Sequence, residues 1–127
     1  MGCALGVKLA WPDRPVVGLL GDGSALYGIQ GLWSAARYGI PVVFVIANNA
    51  QYKILKDCGD VMRLPQMAEK NYLGMDLVDP EVDFVGLARA FGVGAYRVCE
   101  PDELSERISE GLAGSKPILL EVQIERS

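Results

Sequence analysis

The chain has 127 residues, half of them apolar and 22% charged, with 12 basic residues against 16 acidic ones for a formal net charge of -4. That length sets an expectation of one domain spanning residues 1 to 127, able to bury roughly two thirds of its unfolded surface, and the apolar content excludes a disordered tail. The acidic balance lacks the phosphate-neutralising excess of a nucleic-acid binder, so no DNA or RNA role is expected.

Glycine and proline divide the sequence into alternating units. Residues 4 to 10, ALGVKLA, read as a helix that stops at Trp11-Pro12, because the residue before a proline avoids the α region. Pro15 to Leu20, PVVGLL, is a continuous apolar run, as expected of a strand buried on both faces of a parallel sheet. It runs into Gly21-Asp22-Gly23-Ser24, after which Leu26, Ile29, Trp33 and Ala36 recur at helical spacing and predict one amphipathic helix ended by Gly39. Pro41 opens a second apolar run, VVFVIA, that ends at Asn48-Asn49; strand, helix and strand within about 33 residues make a βαβ unit.

The 28 residues from Lys53 to Pro80 have weak periodicity, and a connection of that length predicts a short helix with a role over a binding site. Phe84, Leu87, Ala88 and Phe91 then predict a helix with Asp83 as N-cap and Gly92 as its left-handed stop, followed by a strand near Val93 to Val98. Leu104, Ile108 and Leu112 predict a helix from Pro101 to a stop at Gly114, and PILLEVQI is the last strand. The alternation is that of an α/β fold with a mainly parallel sheet. A chain that opens inside a helix, with no strand before it, reads as truncated at its N-terminus, with a sheet neighbour or a further domain upstream.

The sequence contains no histidine, which removes a Ser-His-Asp triad, a Cys-His dyad and an HExxH zinc helix from consideration within this chain. Cys3, Cys58 and Cys99 are odd in number and far apart, as expected of reduced thiols in a cytoplasmic protein, and Cys3 and Cys99 read as small core residues. The longest apolar run, Val42 to Ala47, is far below the 18 or more residues of a membrane helix, and no signal peptide is evident, so no membrane partner is expected. Glu103, Glu106, Arg107 and Glu110 read as a solvated helix face.

Two motifs carry chemistry. The GDGS segment alone reads equally as a plain turn or as an anion cradle, in which Gly21 and Gly23 allow close backbone approach while the N–H groups of Gly23, Ser24 and Ala25 open a helix. Asp22 conflicts with a bare phosphate cradle, since a carboxylate repels such a ligand unless a cation lies between them. Mg²⁺, which prefers oxygen ligands, is the cation implied. Asn48-Asn49 alone reads as a turn. In parallel strands joined by one helix, however, both motifs emerge at the same carboxyl edge, where open α/β sheets bind ligands, and Asp22 and Asn49 are able to face one cation.

GDGS, with Asn48 coming 24 positions after Ser24, resembles the thiamine diphosphate motif of the thiamine-dependent decarboxylase and carboligase superfamily. The segment ALYGIQGLWSAARYGIPVVFVIANN and the later DFVGLARAFGV look most like its benzoylformate decarboxylase and acetolactate synthase branch. The resemblance runs from about Gly2 to Glu125 and implies the carboxyl-terminal, diphosphate-binding domain, a three-layer α/β/α fold. It implies thiamine diphosphate and Mg²⁺ as cofactors, with Asp22, the Asn49 side chain and the Gln51 carbonyl as metal ligands. Gly23, Ser24 and Ala25 donate to the diphosphate, and Gly21 and Tyr52 complete the cofactor-binding set. Leu55 and Cys58 are expected near the substrate, a small 2-oxo acid. Ala50 departs from the glycine often found after the paired asparagines.

The resemblance also implies partners. The glutamate that activates the cofactor belongs to a pyrimidine-binding domain of a partner subunit and has no counterpart here, so no catalytic residue is assigned and the isolated chain is expected to be inactive. Family members pair these domains, which makes Tyr27, Trp33 and Tyr38 candidates for a homo-oligomer contact. A non-catalytic module keeping the fold, an acetolactate synthase-type synthase and a flavodoxin-like phosphate binder stay open as alternatives.

Overall fold

The computed structural model describes residues Met1 to Arg126. Four strands, β1 (Val17–Gly21), β2 (Val43–Asn48), β3 (Gly94–Val98) and β4 (Ile118–Gln123), form one sheet in the order β1-β2-β4-β3, with every neighbouring pair parallel. Between them run α1 (Gly2–Ala10), α2 (Asp22–Leu26), α3 (Gly31–Tyr38), α4 (Lys53–Val61), a 3₁₀ turn at Pro65–Met67, α5 (Phe84–Ala90) and α6 (Pro101–Ala113). The expected three-layer α/β/α arrangement with a parallel sheet is what the chain adopts.

The layers follow from which strand residues point where. Phe44, Ile46, Leu119 and Ala95 face one side and pack with Leu5 of α1, Ala25 of α2, Leu32 and Ala35 of α3, and Phe84 and Ala88 of α5. Val43, Val45, Val98 and Leu120 face the other and meet Leu104 and Ile108 of α6 alone. Close approach of α6 requires Gly111, where an added Cβ would lie 2.3 Å from Ile118 and 2.7 Å from Val43. Because α6 crosses only β2, β4 and β3, the second face of β1 is bare: Leu19 is 73% exposed. The expectation that PVVGLL is buried on both faces is therefore wrong, since β1 is an edge strand with one helical layer over it.

The predicted helix caps hold where glycine supplies a positive φ, at Gly39 (60°) and Gly92 (82°), and the Asp83 carboxylate accepts the Gly86 N–H at 2.9 Å as a true N-cap. Gly114 is extended instead, with φ -79° and ψ 169°, and ends α6 without a left-handed residue. The single helix expected after GDGS is two. Short i to i+3 bonds from Gly28 to Ala25 and from Leu32 to Ile29 tighten the chain between α2 and α3, at a glycine that weakens helix propagation. Cys3, Cys58 and Cys99 are all exposed, which corrects the reading of Cys3 and Cys99 as core. Leu5 takes the inward position on α1, leaving Cys3 exposed at the rim of a groove that it lines with β1.

Tyr27, Trp33 and Tyr38 also lie outward, 81%, 51% and 72% exposed. No helix among the described residues is long and apolar enough to cross a membrane.

Candidate functional site

The parallel register Gly21↔Ala47 brings the carboxyl ends of β1 and β2 side by side. Asp22 follows β1 as the first residue of α2, with Gly21 extended as its cap, so GDGS is a direct strand-to-helix junction rather than a separate turn. The Asp22 side chain is buried, 3% exposed, and accepts two backbone N–H groups: that of Gly23 at 2.8 Å and that of Gln51 at 3.3 Å. The second bond crosses from one sheet tip to the other and ties GDGS to the asparagine loop.

That loop has a defined shape. Asn48 Oδ1 accepts the Ala50 N–H at 3.0 Å, a side-chain turn of the kind asparagine favours, and Ala50 takes φ 54° in the left-handed region. The departure from glycine at this position thus places an L side chain where glycine is the easier choice. The long 53–80 segment folds back as a strap across the loop: Tyr52 N–H donates to Met75 at 2.8 Å and Leu77 N–H to Ala50 at 2.8 Å, with Gln51 and Asp76 forming an antiparallel bridge. Lys56 stitches strap to loop, donating to Gln51 Oε1 at 2.7 Å and to Asp76 at 2.6 Å. Lys56 and Arg126 beside Asp76, Lys56 first, hold its carboxyl below the usual carboxylate range.

A cavity of about 200 Å³ opens between the two sheet tips. Gly21, Asp22, Gly23 and Ser24 form one wall, and Asn49, Gln51 and Tyr52 the other. Gly23 is required by packing, because a Cβ there would sit 2.4 Å from the Tyr52 ring. Of the candidate residues, Ala25 is fully buried behind this wall as the fourth residue of α2, where the carbonyl of the cap Gly21 is the intrahelical acceptor for its N–H, while the N–H groups of Gly23 and Ser24 precede any such acceptor. Leu55 and Cys58 do not line the cavity. Lys53 and Ile54, the first two residues of α4, do, while Leu55 and Cys58 are exposed away from the opening.

The site also depends on residues that motif reading did not single out. Lys56 holds Gln51, and Glu121 holds Asn48 with Oε1 accepting from Nδ2 at 2.8 Å. A sequence signal existed for the latter: a lone carboxylate inside the apolar run PILLEVQI. Among the described residues no three His, Cys, Asp or Glu side chains gather as a metal cluster.

The profile "Thiamine pyrophosphate enzyme, C-terminal TPP binding domain" matches residues 1–122. The chain belongs to this family. Benzoylformate decarboxylase of Pseudomonas aeruginosa is 41% identical over 119 residues, 94% of this chain and 21% of that protein. An acetolactate synthase large subunit of Parasynechococcus marenigrum is 32% identical over 126 residues, 99% of this chain and 20% of its relative. Among solved structures, a thiamine diphosphate-dependent 4-hydroxybenzoylformate decarboxylase from Rhodococcus jostii RHA1 superposes with a TM-score of 0.89 at 40% identity, covering all of this chain and 23% of its own. The chain thus spans about a fifth of the length of the relatives it matches, as a C-terminal thiamine pyrophosphate-binding domain does in larger enzymes of both kinds.

Proposed function

We propose that the cavity between β1 and β2 holds the diphosphate of thiamine diphosphate through Mg²⁺, within an enzyme that decarboxylates a small 2-oxo acid or joins the resulting fragment to a second carbonyl. The observation that carries this reading is the 3.3 Å bond from the Gln51 N–H to the buried Asp22 carboxylate, which sets Asp22 beside the loop that bears Asn49. The donor set fits the ion. Asp22 and Asn49 offer side-chain oxygens and Gln51 a carbonyl, all hard donors, and one carboxylate with ligand phosphates is the usual complement of Mg²⁺.

In this reading each residue has a role in binding or positioning. Asp22 and Asn49 orient the ion, and without it the Asp22 charge repels a diphosphate, so cofactor binding is metal-dependent. Gly21, Gly23, Ser24 and Ala25 supply backbone at the start of α2, where N–H groups favour anionic oxygens. Tyr52, with its ring against Gly23, keeps water from one side of the cavity. When bound, thiamine diphosphate supplies the electron sink for loss of CO₂. The pyrimidine-binding domain with its activating glutamate, a homo-oligomeric assembly and a cytoplasmic setting complete the proposal, and this chain is its diphosphate-binding unit. Leu55 and Cys58, outside the diphosphate cavity on α4, keep their proposed place toward the substrate, and Ile54, which lines the cavity, joins them.

Calorimetric titration of the full-length protein with thiamine diphosphate tests the reading. Binding with Mg²⁺ that disappears in EDTA and in Asp22→Ala is the expected result; equal heats in all three conditions overturn it. The 127-residue chain alone is expected to decarboxylate neither pyruvate nor benzoylformate, and steady CO₂ release from it would contradict the need for a partner domain.

A further inference from the structure

Glu121 is the only charged side chain in β4 and is completely buried, between Leu120 and Val122. Its two oxygens face different partners. Oε1 accepts from Asn48 Nδ2 at 2.8 Å, and Oε2 accepts from Arg97 Nε and Nη2, both at 3.1 Å. Arg97 reaches it from β3, its side chain 54% exposed, so the guanidinium spans from solvent to the buried carboxylate. A buried ion pair contributes weakly to stability compared with an apolar residue of similar size. The structural consequence of this one lies in what it does to Asn48.

A carboxylate only accepts hydrogen bonds, whereas an asparagine amide has a donor end and an acceptor end. Glu121 therefore fixes which way Asn48 points: Nδ2 toward β4 and Oδ1 toward the Ala50 N–H. That turn holds Ala50 at φ 54° and delivers the Gln51 N–H to Asp22. The contacts run Arg97, Glu121, Asn48, Ala50, Gln51 and Asp22, crossing the sheet in the order β3, β4, β2 and the tip of β1.

We propose that Glu121, braced by Arg97, is a positioning residue that acts through Asn48 to hold the 49–51 loop in its ligand-binding shape. The inference rests on the reading of the cavity as a Mg²⁺ and diphosphate site. Glu121→Gln has one oxygen where two are needed, so either Asn48 or Arg97 loses its acceptor and the Asn48 amide is free to reverse.

The test uses the full-length protein and two readouts: the Kd for thiamine diphosphate in Mg²⁺, and backbone amide hydrogen exchange without ligand. Glu121→Gln is expected to weaken binding by about 10- to 100-fold, the usual range for residues that orient a metal ligand, and to speed exchange at Ala50 and Gln51 while the β2 core amides stay protected. In an Asn48→Ala background the same substitution should change Kd by less than about twofold, because its route of action is already cut. Penalties that multiply, or exchange that rises equally in loop and core, overturn the proposal in favour of a general structural role. Should Glu121→Gln fail to fold, Arg97→Gln at its half-exposed position is expected to move both readouts in the same direction; unchanged loop exchange there overturns the proposal. If the wild-type protein binds no thiamine diphosphate, the function proposed above falls, while loop exchange in Glu121→Gln still decides whether Glu121 holds the loop.

Discussion

Two neighbouring strands deliver the two halves of the site, and they are built differently. β2 lies between β1 and β4, and Val43, Phe44, Val45 and Ile46 are all buried. β1 is an edge with alternating exposure and Leu19 open on the face that α6 does not reach. Asn49 therefore extends from the most constrained strand of the molecule, and Asp22 from the least covered. Burial fixes β2, and the Glu121–Asn48 bond and the strap shape the loop beyond it; the second half owes its position to α2, to the Tyr52 ring and to the Asp22–Gln51 bond. A neighbour on the bare face of β1, or the ligand itself, has more to add to the Asp22 side than to the Asn49 side.

The sharpest way to break this contrast is to cut into each strand. Phe44→Ala removes a ring with no solvent exposure and should cost about 3–5 kcal/mol, read as a fall in the denaturant midpoint. Leu19→Ala, on the exposed side of β1, should change stability by no more than about 0.5 kcal/mol. Comparable losses at both positions would show that β1 is as constrained as β2. Gly23→Ala comes next. Its Cβ would meet Tyr52 at 2.4 Å, so the half-buried ring must move, at an expected cost of about 1–3 kcal/mol together with altered Tyr52 ring signals in NMR. A Gly23→Ala protein as stable as the wild type would mean that the ring does not hold the Asp22 side in place.

The same contrast marks what sequence could disclose. Continuous apolar runs announced parallel strands, and the Asp83 cap and the glycines at 39 and 92 announced helix limits, because each acts through its immediate neighbours. PVVGLL and VVFVIA look alike as strings, so nothing in them says that one is central and the other an edge; that depends on where α6 crosses. Asp22 and Asn49 were readable as a pair because parallel strands present their carboxyl ends at the same edge of the sheet. The strap was not, since its bonds from Tyr52 to Met75 and from Leu77 to Ala50 join backbone groups that carry no sequence signal. Glu121 was visible as an anomaly in an apolar run, but its partner Asn48 is fixed only by the register of β2 on β4.

A smaller effect is expected on the Asn49 side. Ala50 holds φ 54°, a conformation that costs an L residue about 1–2 kcal/mol, while glycine loses about 0.5–1 kcal/mol more on ordering. Ala50→Gly should therefore raise stability by about 0.5–1 kcal/mol, measured by thermal or denaturant melting. A loss of stability instead would mean that the methyl group contributes packing that outweighs the strain.

The smallest expected effect concerns the strap that braces the loop. Asp76 sits between Lys56 and Arg126, each at 2.6 Å, and these partners favour its ionised form, lowering its pKa from the ordinary 3.8. A carboxylate whose folded pKa is depressed contributes in full above the unfolded value, and that contribution is lost as pH falls through the folded one. The strap should thus be indifferent to pH near neutrality and loosen only in acid. Amide exchange at Tyr52 and Leu77, whose N–H groups bond across strap and loop, compared with Asp76→Asn at each pH to cancel intrinsic rates, reads this directly. The two proteins should differ at neutral pH and converge as pH drops below about 3.8. A difference that persists in acid, where the Asp76 carboxyl is protonated, would show that Asp76 acts through something other than its charge. No difference at neutral pH would place the tie in the backbone bonds from Tyr52 to Met75 and from Leu77 to Ala50 rather than in the ion pairs.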